Sequence, residues 1–104
     1  MSNDFNKVFI NKIIQDFQSG DKLNAFNKLK NYLLKNPNDR SSIYNLGYMA
    51  ETLNFIDEAV LNYKKVIKLD KNNWQSRFNL YLIYIKKNNY DKALPLINAV
   101  LKIK

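Results

Sequence analysis

The stretch from Ile43 to Tyr63, IYNLGYMAETLNFIDEAVLNY, decides the fold. Ile43, Leu46, Gly47 and Ala50 recur at three- and four-residue spacing, which puts them on one face of a helix. Ala59 and Tyr63, four apart, begin a second such face beyond a break near Asn54. Working outward, Ala59 has counterparts at Ala25 and Ala93, each 34 residues away. A fixed period of this length marks a helix–turn–helix array whose units stack because none can bury its apolar face alone. Small residues belong where two helices cross closely, and alanine fills such a place at no cost in helix propensity. Gly47 costs about 1 kcal/mol against alanine in a helix interior, so close packing is expected to offset it.

Alignment on the alanines gives a single domain over 1–104 with repeats of about 6–39, 40–73 and 74–104. Each unit reads as two amphipathic helices: roughly 3–18 with 22–35, 40–53 with 56–69, and 74–87 with 90–103. Asp21 follows Gly20 as a candidate N-cap, and Asn36-Pro37-Asn38-Asp39 stops one helix and starts another. Asn54-x-x-Asp57 and Asn88-x-x-Asp91 share a column and resemble capping boxes with Asp in the acidic place. Pro95 falls about one turn into the last helix, where it removes an N–H and crowds a carbonyl. A tolerated kink, or a later helix start near Leu94, accommodates it.

Composition limits the chemistry. The chain has no cysteine and no histidine, which removes disulfides, thiolates, imidazole bases and nearly all zinc or iron sites. No glycine-rich phosphate loop or metalloprotease motif frames the remaining carboxylates, lysines and hydroxyls. The expectation is a non-enzymatic protein without metal or other cofactor. No apolar run approaches the roughly 18 residues of a membrane span, and the N-terminus lacks the layout of a secretory signal, so a cytoplasmic protein is expected. Seventeen basic residues against nine acidic give a net charge of +8. Only Arg40 and Arg77 are arginine, the residue best suited to bidentate phosphate and guanine contacts, which weakens a nucleic-acid reading.

The second unit resembles the tetratricopeptide repeat family through Ile43-Tyr44-Asn45-Leu46-Gly47, Ala59, Tyr63 and Leu69-Asp70. Ile43 stands for the family's first aromatic, Ala50 for its first tyrosine and Lys71 for its proline. The third unit keeps Leu80, Tyr84, Tyr90-Asp91 and Ala93 but has Tyr81 at the glycine column. The first keeps Gly20-Asp21, Ala25, Leu29 and Pro37 after a divergent opening helix. The resemblance implies an all-α, right-handed solenoid of three repeats, about six antiparallel helices, that binds a protein or peptide on its concave face.

In the family, the first helix of each pair lines that face. The groove columns map to Lys7, Ile10, Asn11, Ile14, Phe17 and Gln18 in the first unit. The second unit supplies Ser41, Tyr44, Asn45, Tyr48, Glu51 and Thr52, and the third Gln75, Phe78, Asn79, Leu82, Ile85 and Lys86. One column is asparagine throughout: Asn11, Asn45 and Asn79. Each presents a donor and an acceptor, so the row can pair with the backbone of an extended peptide. Asparagine is also the common family residue at this column. Tyr44, Tyr48, Phe78 and Leu82 supply apolar anchors beside the row, the residue types that dominate binding energy at many interfaces.

The family's clamp for acidic chaperone C-terminal tails uses Lys and Asn in the first unit, Asn in the second, and Lys with Arg in the third, where this chain has Ile10 and Ile14, then Asn45, then Gln75 and Asn79. Of that set Asn45 alone matches, so this specificity is not expected. Most lysines (Lys28, Lys30, Lys35, Lys64, Lys65, Lys68, Lys71, Lys92 and Lys102) belong to the outer side. A solvated surface accounts for them, and nucleic acid on the convex face is the sharper alternative. The sixth helix ends as the sequence does, at Lys104. Ala93, Ile97 and Val100 are therefore expected to present an open apolar face, and either the array self-associates end to end or the chain is a piece of something longer.

Overall fold

The computed structural model describes residues 3–103. Six helices follow in order: α1 (Asn3–Gln18), α2 (Lys22–Lys35), α3 (Arg40–Thr52), α4 (Ile56–Leu69), α5 (Trp74–Lys86) and α6 (Tyr90–Ile103). Each packs on its neighbour in sequence, from α1 on α2 through to α5 on α6, in a body of 40 × 26 × 21 Å. This is the helical solenoid anticipated from the 34-residue period, and its helix bounds agree with the sequence reading to within a residue.

The core runs as a spine along the stack. Ala25, Ala59 and Ala93 are each at most 1% exposed. Phe26, Leu29, Ile43, Ala50, Tyr63 and Val66 surround them with little or no exposure. A Cβ built on Gly47 would meet the Tyr63 ring at 2.9 Å from Cε1 and 3.1 Å from Cδ1. That is inside the ~3.5 Å at which carbon atoms begin to attract, so the glycine is required by the ring seated on it. The equivalent columns show the same trade of volume. Ile13 and Tyr81 occupy the Gly47 column where Leu29 and Ile97, rather than the larger Tyr63, occupy the opposite one.

The turns within repeats correct the capping-box reading. Asn54 and Asn88 have φ of 66° and 58°, and Gly20, in the same column, has φ of 113°. They are the left-handed residues that end α3, α5 and α1, a conformation glycine adopts freely and asparagine tolerates. The next N–H in each case reaches back five residues: Asp21 to the Asp16 carbonyl at 3.0 Å, Phe55 to Ala50 at 2.7 Å, Asn89 to Tyr84 at 2.8 Å. Gly20, Asn54 and Asn88 therefore close the first helix in Schellman motifs and are not themselves side-chain caps of the second. Asp21 caps α2 by position, without a side-chain bond to its backbone. Asn89 does use its side chain, accepting from the Lys92 N–H at 3.4 Å.

Between repeats, Asp39 and Asn73 hold the entries to α3 and α5. Asn73 accepts from the Ser76 N–H at 2.8 Å, an ordinary N-cap. The Asp39 carboxylate instead accepts from Ser42 Oγ at 3.0 Å and from the Tyr32 hydroxyl at 2.7 Å, tying the first repeat to the second. Burial, then that carboxylate, pushes the Tyr32 hydroxyl up to about 12. Pro95 sits inside a continuous α6, so the later helix start is not adopted.

Candidate binding groove

The first helices α1, α3 and α5 form one side of the stack, and hollows follow one another along them. Between α3 and α5 lies a cleft of about 570 Å³ lined by Tyr44, Tyr48, Glu51, Asn79, Ile83 and Lys86, among others. A second hollow, of about 360 Å³, takes in Arg40, Ser41, Tyr44, Asn45, Asp70 and Gln75. A third, of about 420 Å³ between α1 and α3, is lined by Lys7, Ile10, Asn11, Ile14, Ser41 and Asn45. Shared walls at Tyr44, Ser41 and Asn45 join the three into a trough.

The sequence-derived residues divide within this trough. Tyr48 is 56% exposed and Leu82 39%, large apolar surfaces that folding leaves open. Tyr44 is half-buried, its ring 5.8 Å from that of Tyr63. Asn79 donates from Nδ2 to the Tyr44 hydroxyl at 2.9 Å, a bond between neighbouring repeats. One member of the asparagine row is therefore already engaged, and it positions Tyr44 while retaining an amide oxygen. Asn45 is half-buried and Asn11 exposed, both on the α1–α3 hollow. Phe78 is half-buried with its ring 6.0 Å from Tyr81, and neither it nor Leu82 lines the hollows themselves.

Two groups of expected residues are placed elsewhere. Phe17 is 5% exposed and belongs to the core, with the Lys22 ammonium 4.6 Å over its ring, so it is not a groove residue. Its column-mates Glu51 and Ile85 are half-buried, so this column lies at the border between groove and core. Ala93 and Val100 are 1% and 6% exposed and are not an open face. They occupy the side of α6 that packs within its own repeat, and of the expected trio Ile97 alone is partly open. The lysines named on the outer side, all on second helices but Lys71 in the turn after α4, are exposed, and two of them have partners. Lys30 pairs with Glu58 at 3.1 Å, and Lys92 lies 5.7 Å over the Tyr84 ring.

Sequence reasoning missed Ile56, Ile83 and the turn residues Asn54 and Lys87, which complete the larger cleft. Asn54 reaches the cleft from its left-handed turn, whose signal in the sequence was the Gly20–Asn54–Asn88 column, whereas Ile83 and Lys87 come from α5 and its end. Glu51 faces the same cleft and accepts from the Tyr63 hydroxyl at 2.9 Å. Burial, then that carboxylate, drives the Tyr63 hydroxyl far above its ordinary value and keeps it protonated. Glu51 is thus held in place by the buried Tyr63, and it lines the cleft together with Tyr48 and Lys86. A surface of this kind offers apolar contact, both charge signs and amide groups, which suits a peptide. Among the described residues no helix is long and apolar enough to cross a membrane.

Comparison with known proteins agrees with the fold. The sequence model of the tetratricopeptide repeat family matches residues 41–73, the second repeat. The chain is 33% identical over 78 residues to the human protein O-mannosyl-transferase TMTC3, covering 75% of this chain but 8% of that protein. Among solved structures, MamA residues 41 to the end from Desulfovibrio magneticus RS-1 superposes with a TM-score of 0.83 at 26% identity, covering 92% of this chain and 54% of that one. The Yersinia enterocolitica type III secretion chaperone SycD, solved with a peptide of the translocator YopD, superposes with a TM-score of 0.88 at 16% identity, covering 98% and 78%. This chain thus spans a small part of the human protein and about half of MamA.

Proposed function

Taking the chain as a stack of three tetratricopeptide repeats, we propose that it is a non-catalytic protein-interaction module that seats a peptide in the trough along α1, α3 and α5. The observation that carries this reading is the continuity of the three hollows, with Tyr48 left largely exposed beside the α3–α5 cleft. An exposed aromatic beside a concave, partly apolar cleft is the usual form of an anchor for a partner's side chain. Tyr44, Tyr48 and Ile83 would surround an apolar residue of the peptide, Lys86 and Glu51 would meet its polar neighbours, and Asn45 and Asn11 its backbone. Leu82 and Phe78 would extend the contact along α5. The SycD structure supports the reading by example, since a chaperone of the same fold is seen with a bound peptide.

Peptides selected against the wild-type chain from a randomised display library test the proposal. Tyr48→Ala removes an exposed ring without touching the core and should weaken the selected peptides by at least about tenfold, ~1.4 kcal/mol. Leu34→Ala, at a side chain 80% exposed on α2, should leave them unchanged. Selected peptides indifferent to Tyr48 but sensitive to Leu34 would place binding on the other side of the stack.

A further inference from the structure

The repeats allow each position of the last helix to be compared with positions that another repeat covers. Phe26 is 2% exposed, and Leu29 and Tyr63 are fully buried. Their counterparts on α6 behave differently: Leu94, in the Phe26 column, is 60% exposed, and Ile97, in the Leu29–Tyr63 column, is partly open. Leu101, in the column of the half-buried Leu33 and Ile67, is 70% exposed, and Tyr90 is 60%. Tyr90, Leu94, Ile97 and Leu101 follow one another at spacings of four, three and four, which at about 3.6 residues per turn is one narrow stripe. Alternating steps of three and four are the pattern of a helix that pairs with another helix along a seam.

The opposite end of the stack does not present the matching surface. Lys12 stands in the column of Leu46 and Leu80, which are 5% and 2% exposed, and Gln15 in that of Met49 and Ile83, 2% and 3%. The Lys12 ammonium is paired with Asp16 at 2.8 Å. A copy stacked head to tail on α6 would bury that charge and that amide against leucines, which disfavours an open-ended array. The α6 stripe, by contrast, is complementary to itself when two copies run antiparallel. Leu94 then lies opposite Leu101 of the second copy, and Ile97 lies near the two-fold axis. Asp91 and Lys102 sit on the same flank of the stripe, so the antiparallel arrangement brings each toward the other's counterpart. The helix dipoles also oppose. α6 carries just Asp91, Lys92 and Lys102 as charges, so this pairing avoids the repulsion that other faces of a +8 chain would meet.

We propose that two copies of this chain pair about a two-fold axis, α6 against antiparallel α6, through Tyr90, Leu94, Ile97 and Leu101. The stripes bury on the order of 800 Å² in total, below a standard interface, which places the pairing among weak and reversible ones. The trough on α1, α3 and α5 stays open in it, and the pairing stands independently of peptide binding.

Sedimentation between about 1 and 300 µM should show the mass rising from 12.3 kDa to twice that value and stopping there. Leu101→Glu should hold the chain at 12.3 kDa with an unchanged circular dichroism spectrum, and Tyr48→Ala should leave the dimer intact. Because the chain lacks cysteine, register can be read directly. Leu94→Cys and Leu101→Cys chains should cross-link to each other when mixed and oxidised but neither to itself. Like positions would lie about 10 Å apart along the axis, beyond disulfide reach. A monomer at all concentrations, a mass growing past the dimer, an unaffected Leu101→Glu dimer or self-linking of either cysteine variant would each overturn the proposal.

Discussion

Replacing Gly47 with alanine sets two effects of opposite sign against each other. In a helix interior the substitution gains about 1 kcal/mol of propensity, so an uncrowded site would be stabilised. Here the new methyl would stand 2.9 Å from Cε1 and 3.1 Å from Cδ1 of Tyr63, several tenths of an ångström inside ordinary contact. Relief requires the ring to move, and three contacts resist. Tyr63 is fully buried, its hydroxyl donates to Glu51 at 2.9 Å, and its ring packs on Tyr44 with centroids 5.8 Å apart. Overpacking at a pinned site costs about 2–3 kcal/mol, in the upper part of the usual range. The net loss is therefore about 1–2 kcal/mol, or roughly 5–15 °C in melting temperature for a domain of this size. Thermal and urea unfolding followed by circular dichroism measure it. In a Tyr63→Leu background, where the ring is gone, the same Gly47→Ala change should stabilise instead, a coupling of at least ~1 kcal/mol. A Gly47→Ala protein that melts higher than wild type would refute the argument from the ring.

Further expectations concern the turns and the buried tyrosines. Asn54 holds φ of 66°, so Asn54→Ala should cost about 1 kcal/mol in urea unfolding while Asn54→Gly is neutral or better; equal losses in both would contradict a left-handed requirement. The Tyr63 and Tyr32 hydroxyls are both held above the tyrosine range, Tyr32 at about 12, so both stay protonated in the fold after an unfolded tyrosine ionises near 10. Their contribution to stability is thus complete below about pH 10 and is lost as pH rises through the folded values. The urea midpoint should fall between about pH 10 and 12, and less steeply in Tyr63→Phe; an identical slope in that variant would remove Tyr63 from the account.

Much of this molecule was legible because the repeat supplies three readings of each position. The 34-residue alanine spacing located six helices, and the family columns found Tyr44, Tyr48, Asn45 and Asn79 on the cleft walls. The failures share a cause, which is that a single column admits more than one structural use. Asn54 and Asn88 have the chemistry of N-caps, yet as column-mates of Gly20 they serve as left-handed helix ends. On α6 apolar residues cover two adjoining faces. Periodicity alone does not separate the face packed within the repeat, with Ala93 and Val100, from the open one, with Leu94 and Leu101. Phe17 was misplaced because its column, shared with the half-buried Glu51 and Ile85, lies between groove and core. Ile83 and Lys87 were missed because neither stands in a family groove column, Ile83 being 3% exposed on α5 and Lys87 following its end.

The central claim, that partners bind on the α1–α3–α5 side, is tested most directly by backbone amide shifts of labelled protein titrated with a display-selected peptide. The account predicts perturbations concentrated at Asn11, Asn45, Tyr48, Glu51, Asn79, Leu82 and Lys86, with α2 and α4 quiet beyond the buried layer. Shifts centred instead on Lys30, Leu34, Leu61 and Lys65 of the outer helices would contradict it.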